Sequence, residues 1–268
     1  MPAAPASRPP CLVSIDLEEW QDARLAGLDP AARDRGPGAL EAQVESLLGL
    51  LDAAGARATF FTVGRLARRH PALLRRVARR HEVACHGDDH ADLRRLDARR
   101  LALDLRRARG SLQDITGQVV SGYRAPNFSL GACLDWALPV LRREGVGYDS
   151  SLLPGRGILF LPGRPDLPPG PHPLAGGEGI WEFPPTTVRL PGISFPAAGG
   201  AFLRVLPQRF VMRALHRVAT GGGTPHVYLH PWEVGVSGAA PRLLAILQRF
   251  QGVALDDLRV RLEERGAA

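Results

Sequence analysis

Lysine is absent from this 268-residue chain, and all 34 of its basic residues are arginine. With 27 acidic residues the formal net charge is +7. A basic surface can attract nucleic acid, anionic lipid or an acidic polymer. Here many of the arginines lie in pairs along several predicted helices, and no aromatic-rich basic groove or known nucleic-acid motif accompanies them. We interpret them as solvated helix faces and expect no nucleic-acid partner.

Cysteine is scarce: Cys11, Cys85 and Cys133 are the three present, without CxxC spacing. An odd count without that spacing argues against a disulfide scaffold and fits a reducing compartment. No apolar run approaches the roughly 18 residues of a membrane span. Residues 1–10 are rich in proline and alanine and lack the apolar core of a signal peptide. The sequence therefore predicts a cytoplasmic protein with no integral membrane segment and a disordered arm at residues 1–10.

Short apolar runs alternate with segments of helical periodicity along most of the chain. The runs that predict buried strands are residues 11–15, 58–63, 82–85, 119–123 and 225–229. The segments that predict helices are residues 40–54, 71–80, 97–117, 132–145, 208–220 and 241–250. This alternation is typical of a parallel sheet, in which sites form at the carboxyl ends of strands. We expect one α/β domain over residues 11–268.

Residues 153–179 are rich in proline and glycine and show no periodicity. Strand-like sequence resumes after them, so the stretch is not a linker between domains. We expect a long surface loop, and loops of this length in a compact domain often bind ligands.

Two groups of potential metal ligands follow predicted strands. Asp16 and Glu18 end the first strand, and on an extended backbone they point to the same side. His86 and His90 follow the third strand, where one helical turn would place both imidazoles on one side. Two histidines and a carboxylate, with one position left open for water, suit a catalytic metal site. Taken alone, either group could be structural, because two carboxylates can form a turn or a cap and histidines four apart also occur by chance.

Five short motifs occur in a fixed order, and together they carry a family resemblance. They are Asp16-x-Glu18, His86-x3-His90, Arg124-x-Pro126, Tyr148-Asp149-Ser150-Ser151 and Leu229-His230-Pro231-Trp232-Glu233. This order resembles the polysaccharide deacetylase superfamily with NodB homology, carbohydrate esterase family 4. The amino-acid sequence of residues 15–20, 122–126 and 181–184 is most similar to that of the exosortase-associated deacetylases of exopolysaccharide gene clusters. The resemblance covers residues 11–258 and implies a distorted (β/α) barrel, usually of seven strands.

The resemblance also implies an activity: removal of N-acetyl groups from the amino sugars of a polysaccharide or its biosynthetic precursor, by metal-activated water. The divalent metal would be zinc, with cobalt, nickel or manganese as alternatives. Carried over by motif, the metal ligands would be Glu18, His86 and His90. Glu19 is a second candidate for the acidic ligand, and we favour Glu18 because it shares a side with Asp16 on an extended chain.

The remaining motif residues receive roles from the same resemblance. Asp16 would be the general base, Arg124 its orienting partner and His230 the general acid, with Asp149 tuning His230. The residues predicted to bind substrate are Tyr123, Pro126, Trp181 and Trp232, although either tryptophan could equally be a core aromatic. Two alternatives stay open: a deformylase or other small-amide hydrolase of the same superfamily, and a catalytically silent carbohydrate-binding protein. The sequence specifies neither the sugar nor the oligomeric state.

Overall fold

The computed structural model of the chain describes residues 8–19, 39–158, 161–176, 178–234 and 238–266. Residues 1–7 of the predicted disordered arm lie outside these ranges. Trp20, the last residue of the motif stretch 15–20, lies outside them as well. Residues 8–10 belong to the fold, because Pro10 begins the first strand and the Arg8 guanidinium donates to Gln251 Oε1 at 2.9 Å.

The strands of the described residues follow in chain order. They are β1 (Pro10–Leu17), β2 (Thr59–Thr62), β3 (Glu82–Cys85), β4 (Gly122–Tyr123), β5 (Tyr148–Asp149), β6 (Leu153–Pro154), β7 (Gly157–Ile158), β8 (Leu161–Arg164), β9 (His172–Pro173), β10 (Trp181–Glu182), β11 (Thr187–Leu190), β12 (Ile193–Pro196), β13 (His226–Leu229) and β14 (Gln251–Val253).

The α-helices of the same residues lie between these strands. They are α1 (Ala39–Ala53), α2 (Gly64–Arg69), α3 (Pro71–Ala78), α4 (Ala98–Thr116), α5 (Leu134–Arg143), α6 (Ala201–Val205), α7 (Gln208–Thr220), α8 (Pro231–Val234), α9 (Ala239–Leu247) and α10 (Leu255–Gly266). Two 3-10 helices, Leu93–Arg95 and Pro126–Ala132, connect them.

The main sheet runs in the order β13-β1-β2-β3-β4-β5-β10-β9, and β14 also pairs with β1. Every neighbouring pair from β13 to β10 is parallel, and only β9 joins antiparallel at the edge. The predicted α/β fold with about seven barrel strands is therefore confirmed, as a curled half-barrel sheet. Because parallel strands end at one edge, their carboxyl ends gather the polar residues that follow them.

The irregular segment after β10 spans the gap between the two sides of this sheet. Phe183 N donates to Asp149 O at 2.9 Å on β5, and Thr186 N donates to His226 O at 3.1 Å on β13. Gly199 then pairs in parallel with Tyr228 on β13. These bonds place β5, β10 and β13 around one interior.

Helix α4 has the features that allowed it to be predicted from the sequence: an N-cap, an apolar stripe and a terminal glycine. Asp97 accepts a hydrogen bond from Arg100 N at 2.8 Å as the N-cap, and Gly117, with a φ of 70°, ends the helix. Its buried side chains recur every three or four residues: Leu101, Ala102, Leu105, Ala108 and Leu112. Full burial of one leucine side chain contributes about 2 kcal/mol, so this stripe fixes the helix against the sheet. In the part of the chain that the structure describes, no helix is long and apolar enough to cross a membrane.

Two of the predicted segments differ from the structure. The strand predicted at residues 119–123 is reduced to Gly122–Tyr123. Residues 153–179, predicted as one loop, contain β6 to β9, of which β6, β7 and β8 form a small separate sheet. These short strands are held by backbone pairing, and Gly163 packs directly on the backbone of residues 155–157. Such pairing leaves no side-chain periodicity in the sequence.

A glycine in β4 permits a close approach of the next strand. The ring of Tyr148 on β5 covers Gly122 so closely that an added Cβ would overlap it, and the Tyr148 hydroxyl donates to Glu82. We predict that Gly122→Ala lowers the free energy of unfolding by about 1–3 kcal/mol through overpacking, measured by denaturant titration. In Gly147→Ala the new Cβ would have its nearest neighbour at 3.5 Å, and we expect little change. Equal stability of both variants would contradict the close packing.

Candidate metal centre

The ends of β1 and β3 bring a carboxylate and two imidazoles together. Glu18 follows β1, and His86 and His90 follow β3. Strand β2 lies between these two strands in the sheet. Glu18 Oε2 lies 3.2 Å from His86 Nε2 and 2.5 Å from His90 Nε2. One donor atom from each residue lies within 4.8 Å of the others, and all three side chains are nearly inaccessible to solvent.

These three residues fit a divalent cation. His86 Nδ1 donates to Arg124 O at 2.7 Å, which leaves the lone pair of Nε2 directed at Glu18. Among the described residues no hydrogen bond satisfies Glu18 Oε2, although that atom is buried. Burial alone would raise the pKa of Glu18, but the positive charge of His90 holds it below its usual range. A carboxylate oxygen and two imidazole nitrogens form a donor set that suits zinc and similar ions.

Glu19, the second candidate for the acidic ligand, faces elsewhere. Its carboxylate lies 3.4 Å from Arg65 and 3.1 Å from Arg69, both on α2. The structure therefore brings Glu18 to the histidines, as the alternation of an extended strand predicted.

The loop that carries both histidines is not the helical turn that the sequence suggested. Gly87 has a φ of 74° and His90 a φ of 55°, so the chain passes twice through the left-handed region. Glycine adopts this conformation without steric cost, whereas a residue with a side chain stores on the order of 1 kcal/mol of strain there. The surrounding structure must therefore hold His90 in place.

Hydrogen bonds from the backbone of α2 and from a side chain of α4 provide that support. The first N–H groups of α2 point at the loop, where Gly64 N donates to Gly87 O and Arg65 N to Asp88 O, each at 2.9 Å. From the other side, Asp104 on α4 accepts from Asp88 N at 3.0 Å. Helix α2 thus satisfies loop carbonyls and α4 a loop amide.

The carboxylate of Asp88 adds a second link to the same helices. It is 2% exposed and accepts two hydrogen bonds from Arg68, at 2.6 and 3.0 Å, while Arg107 lies 3.2 Å away. Gly64 has room for this carboxylate only because it lacks a Cβ. The ligand loop is consequently clamped between α2 and α4.

Asp16 lies on β1, two residues before Glu18, and is oriented by a fully buried arginine. Arg124 NH1 donates to Asp16 Oδ1 at 2.5 Å, and NH2 donates to the hydroxyls of Ser14 at 3.0 Å and Ser150 at 2.7 Å. Its Nε donates to Ser150 O at 2.9 Å, and the Phe61 ring lies 4.2 Å from the guanidinium carbon. The guanidinium therefore holds one Asp16 oxygen and leaves the other directed at the centre.

His230 faces the same centre from the end of β13. Its Nε2 lies 3.9 Å from Asp16 Oδ2 and 3.7 Å from Glu18 Oε1. Its Nδ1 donates to Glu233 Oε2 at 2.8 Å, and Trp232 stacks on its ring with centroids 4.4 Å apart. Burial lowers the pKa of His230, but the carboxylates of Glu233, Glu18 and Asp16 outweigh it and raise this pKa to about 9. The arrangement gives His230 a proton to donate.

The expectation that Asp149 tunes His230 was wrong, because Glu233 occupies that place. Asp149 is buried elsewhere and accepts from Ser151 N and Ser151 Oγ, both at 2.7 Å. It lies beside Glu182 in the β5–β10 register. Burial raises the pKa of both carboxyls, and Asp149 raises that of Glu182 further, which keeps a proton on the pair. The pair shapes the turn that presents Ser150 to Arg124.

Two of the four residues predicted to bind substrate are not brought to the centre. Tyr123 is fully buried in the core between sheet and helices. Trp181 lies against Phe183 and packs on the buried cluster that also contains Leu255. Their aromatic character serves packing. The other two lie close by: Trp232 stacks on His230, and Pro126 lies beside Gly87 in the ligand loop.

An apolar cluster that the sequence did not indicate lies beside Arg124. Phe128 and Tyr228 meet edge to face at 5.2 Å, each within 5.5 Å of the guanidinium carbon, and Leu153 completes the cluster. Asn127 and Phe128 both have positive φ values, 58° and 53°, a strained conformation for residues with side chains. Neither the strain nor the long-range contact leaves a signal in the local sequence.

Glu233 could have been found from the sequence. A glutamate three residues after the N-cap of a helix is a capping pattern, and here Glu233 accepts a hydrogen bond from His230 N at 2.9 Å.

Comparisons with known proteins agree with this geometry. Residues 33–142 match the family model of polysaccharide deacetylases, and residues 150–264 match a domain of unknown function, DUF3473. No curated protein sequence matches the chain.

Solved structures share the fold over nearly the whole chain. A crystal structure from Mycobacterium smegmatis assigned to the polysaccharide deacetylases has a TM-score of 0.68 and 24% identity, covering 98% of this chain and 93% of that one. The allantoinase Puue has a TM-score of 0.64 and 17% identity, with coverages of 96% and 91%.

A family 4 carbohydrate esterase from Streptomyces lividans, solved in complex with acetate, has a TM-score of 0.55 and 16% identity, with coverages of 92% and 93%. The Glu18, His86 and His90 cluster is a group of side chains that could hold a metal ion. Residues 33–142 are thus similar to polysaccharide deacetylases, and the chain shares its fold with solved structures that include a family 4 carbohydrate esterase.

Proposed function

We propose that this protein is a metal-dependent de-N-acetylase that removes acetyl groups from amino sugars of a polysaccharide or its biosynthetic precursor. One observation carries the proposal. Asp16, held by Arg124, and His230, held by Glu233, both reach within 3.9 Å of each other at the Glu18 cluster. A candidate base, a candidate acid and a metal-binding set thus share one centre.

Amide hydrolysis needs all three components, because an amide carbonyl is a poor electrophile and an amine a poor leaving group. A bound divalent cation, zinc by its donor set, would lower the pKa of a water molecule and polarise the acyl carbonyl. Glu18, His86 and His90 would hold it. The chain's own residues then handle the protons.

Asp16 is the group that removes a proton from the attacking water. Its Oδ1 is occupied by Arg124, so Oδ2 is the oxygen that accepts. The buried guanidinium fixes the position of this carboxylate, so the base needs little reorganisation. General base catalysis of this kind contributes about 10²–10⁴-fold in rate.

His230 is the group that returns a proton. Its Nδ1 proton is committed to Glu233, so the Nε2 proton is the one that can pass to the sugar nitrogen as the carbon–nitrogen bond breaks. The products are acetate and a free amine, and Asp16 and His230 must exchange a proton before the next turnover.

A small-amide hydrolase is the second candidate, because the fold likeness to an allantoinase extends over nearly the whole chain at a TM-score of 0.64. The match of residues 33–142 to polysaccharide deacetylases favours the first candidate. The finer assignments, to exopolysaccharide biosynthesis, to the exosortase-associated subgroup and to a cytoplasmic location, stay predictions of the sequence.

The activity itself is tested with N-acetylated amino-sugar oligosaccharides. We expect the zinc-loaded protein to release acetate and the chelator-treated protein to release none. Asp16→Asn should lower the rate by about 10²–10⁴-fold without loss of bound zinc, since Asp16 is not a ligand. Release of formate, or turnover of small amides alone, would favour the second candidate instead.

The ligand assignment is tested by metal content after dialysis. We expect about one zinc ion per wild-type chain and a large loss in Glu18→Gln, because a neutral amide is a much weaker zinc ligand than a carboxylate. Glu19→Gln is the matched control, since it removes a neighbouring carboxylate that pairs with Arg65 and Arg69 of α2. Loss of zinc in the Glu19 variant and retention in the Glu18 variant would reverse the assignment.

The acid role is tested by changing the leaving group. We expect His230→Ala to lose about 10²-fold or more on an N-acetyl sugar, with a smaller loss in Glu233→Gln. Both losses should shrink on an aryl acetate, because a phenolate departs without protonation. Arg204→Gln controls for the ion pair at the other Glu233 oxygen, 3.3 Å away. Equal losses on both substrates would argue against proton donation by His230.

A further inference from the structure

The positive charge of this chain is concentrated in one stretch. Between residues 183 and 255 there are seven arginines and a single acidic residue, Glu233, so this stretch carries +6 of the net +7. Glu233 is 2% exposed and bonded to His230. The remainder of the chain, with 27 arginines and 26 acidic residues, is nearly neutral. The stretch lies within the match to the domain of unknown function.

Helix α7 presents part of this charge on one face. Arg209, Arg213 and Arg217 are spaced four residues apart and are all exposed, while Val211 and Leu215 are buried on the opposite side. None of the three arginines forms an ion pair with another described residue. Their positive charge therefore faces solvent without a carboxylate to neutralise it.

An apolar tip lies in the same stretch. Strands β11 and β12 form a hairpin whose residues next to the turn, Leu190 and Ile193, face each other in register. They are 48% and 40% exposed. Each of these aliphatic side chains keeps nearly half of its surface in water, so folding leaves much of its hydrophobic free energy unused.

The hairpin packs against α6 and α7, the second of which carries the basic face. Phe195, two residues after Ile193 on the same side of β12, stacks on Phe202 of α6 at 5.4 Å and on Phe210 of α7 at 6.4 Å. Val205, at the end of α6, is 71% exposed. We define the basic apolar face as Leu190, Ile193, Val205, Arg209, Arg213 and Arg217.

We infer that the basic apolar face docks the protein on an anionic lipid bilayer. Aliphatic side chains that enter the boundary of the acyl chains, next to arginines that meet lipid phosphates, are the features of an interfacial binding surface. Nucleic acid or an acidic polymer would use the arginines but would leave the exposed aliphatic tip in water. The face adjoins the candidate metal centre, since Arg204 of α6 pairs with Glu233 beside His230. This inference does not depend on the proposed reaction.

The full chain is tested by co-sedimentation with vesicles of phosphatidylglycerol and phosphatidylcholine, and with vesicles of phosphatidylcholine alone. We expect binding to the anionic vesicles that weakens with salt. A variant with Arg209→Gln, Arg213→Gln and Arg217→Gln should bind about 100-fold more weakly, since each basic residue near the surface contributes about 1 kcal/mol. The matched control replaces Arg75, Arg79 and Arg99, which are also exposed, by glutamine and should bind like the wild type.

The apolar part of the face is tested by Leu190→Ser with Ile193→Ser. We expect weaker binding to anionic vesicles at every salt concentration, with an unchanged thermal unfolding midpoint because both residues are exposed. No binding to anionic vesicles, equal losses in the two arginine variants, or an unaffected tip variant would each overturn the inference. Binding to duplex DNA or a polyanion that needs the α7 arginines, without binding to vesicles, would overturn it in favour of a polymer ligand.

Discussion

The buried ion pair between Arg124 and Asp16 is the interaction on which the candidate site depends. An unpaired guanidinium inside a protein is strongly destabilising, and Arg124 is fully buried. Its partners come from the ends of different strands: Asp16 and Ser14 from β1, and Ser150 from the turn after β5. The cation can be satisfied only when these strand ends converge. The requirement to satisfy one charge thus fixes the position of the candidate base.

Much of the site followed from sequence because its logic is that of a parallel sheet. Asp16 and Glu18 share a side on an extended strand. They come close to His86 because β1 and β3, separated only by β2, end at the same edge of the sheet. The same alternation, applied to β4, would have corrected one error. Since Arg124 faces the interior, the preceding Tyr123 must face the helices, where the structure places it. Aromatic character alone does not tell which side of a sheet a residue occupies.

Other parts of the site could not be predicted from local sequence. The left-handed conformation of His90 is imposed by α2 and α4 and has no signature in the histidine motif itself. Asp149 and Glu182 meet through the pairing of β5 with β10, which are some thirty residues apart in the chain. Trp181 packs on a buried cluster that includes Val253 and Leu255, more than seventy residues later in the chain. In each case the deciding contact is distant along the chain, so composition and spacing carry no information about it.

The position of β1 inside the sheet governs how the molecule can be assembled during translation. This first strand pairs with β2 on one side, but its other neighbours, β13 and β14, are made of residues 226–229 and 251–253. A nascent polypeptide can pair β1 to β5 early, yet one edge of β1 stays open until residues 226–253 have been synthesised. His230 arrives with that late strand. Asp16 and His230 can therefore meet only after the residues of β13 and the histidine that follows it have been synthesised.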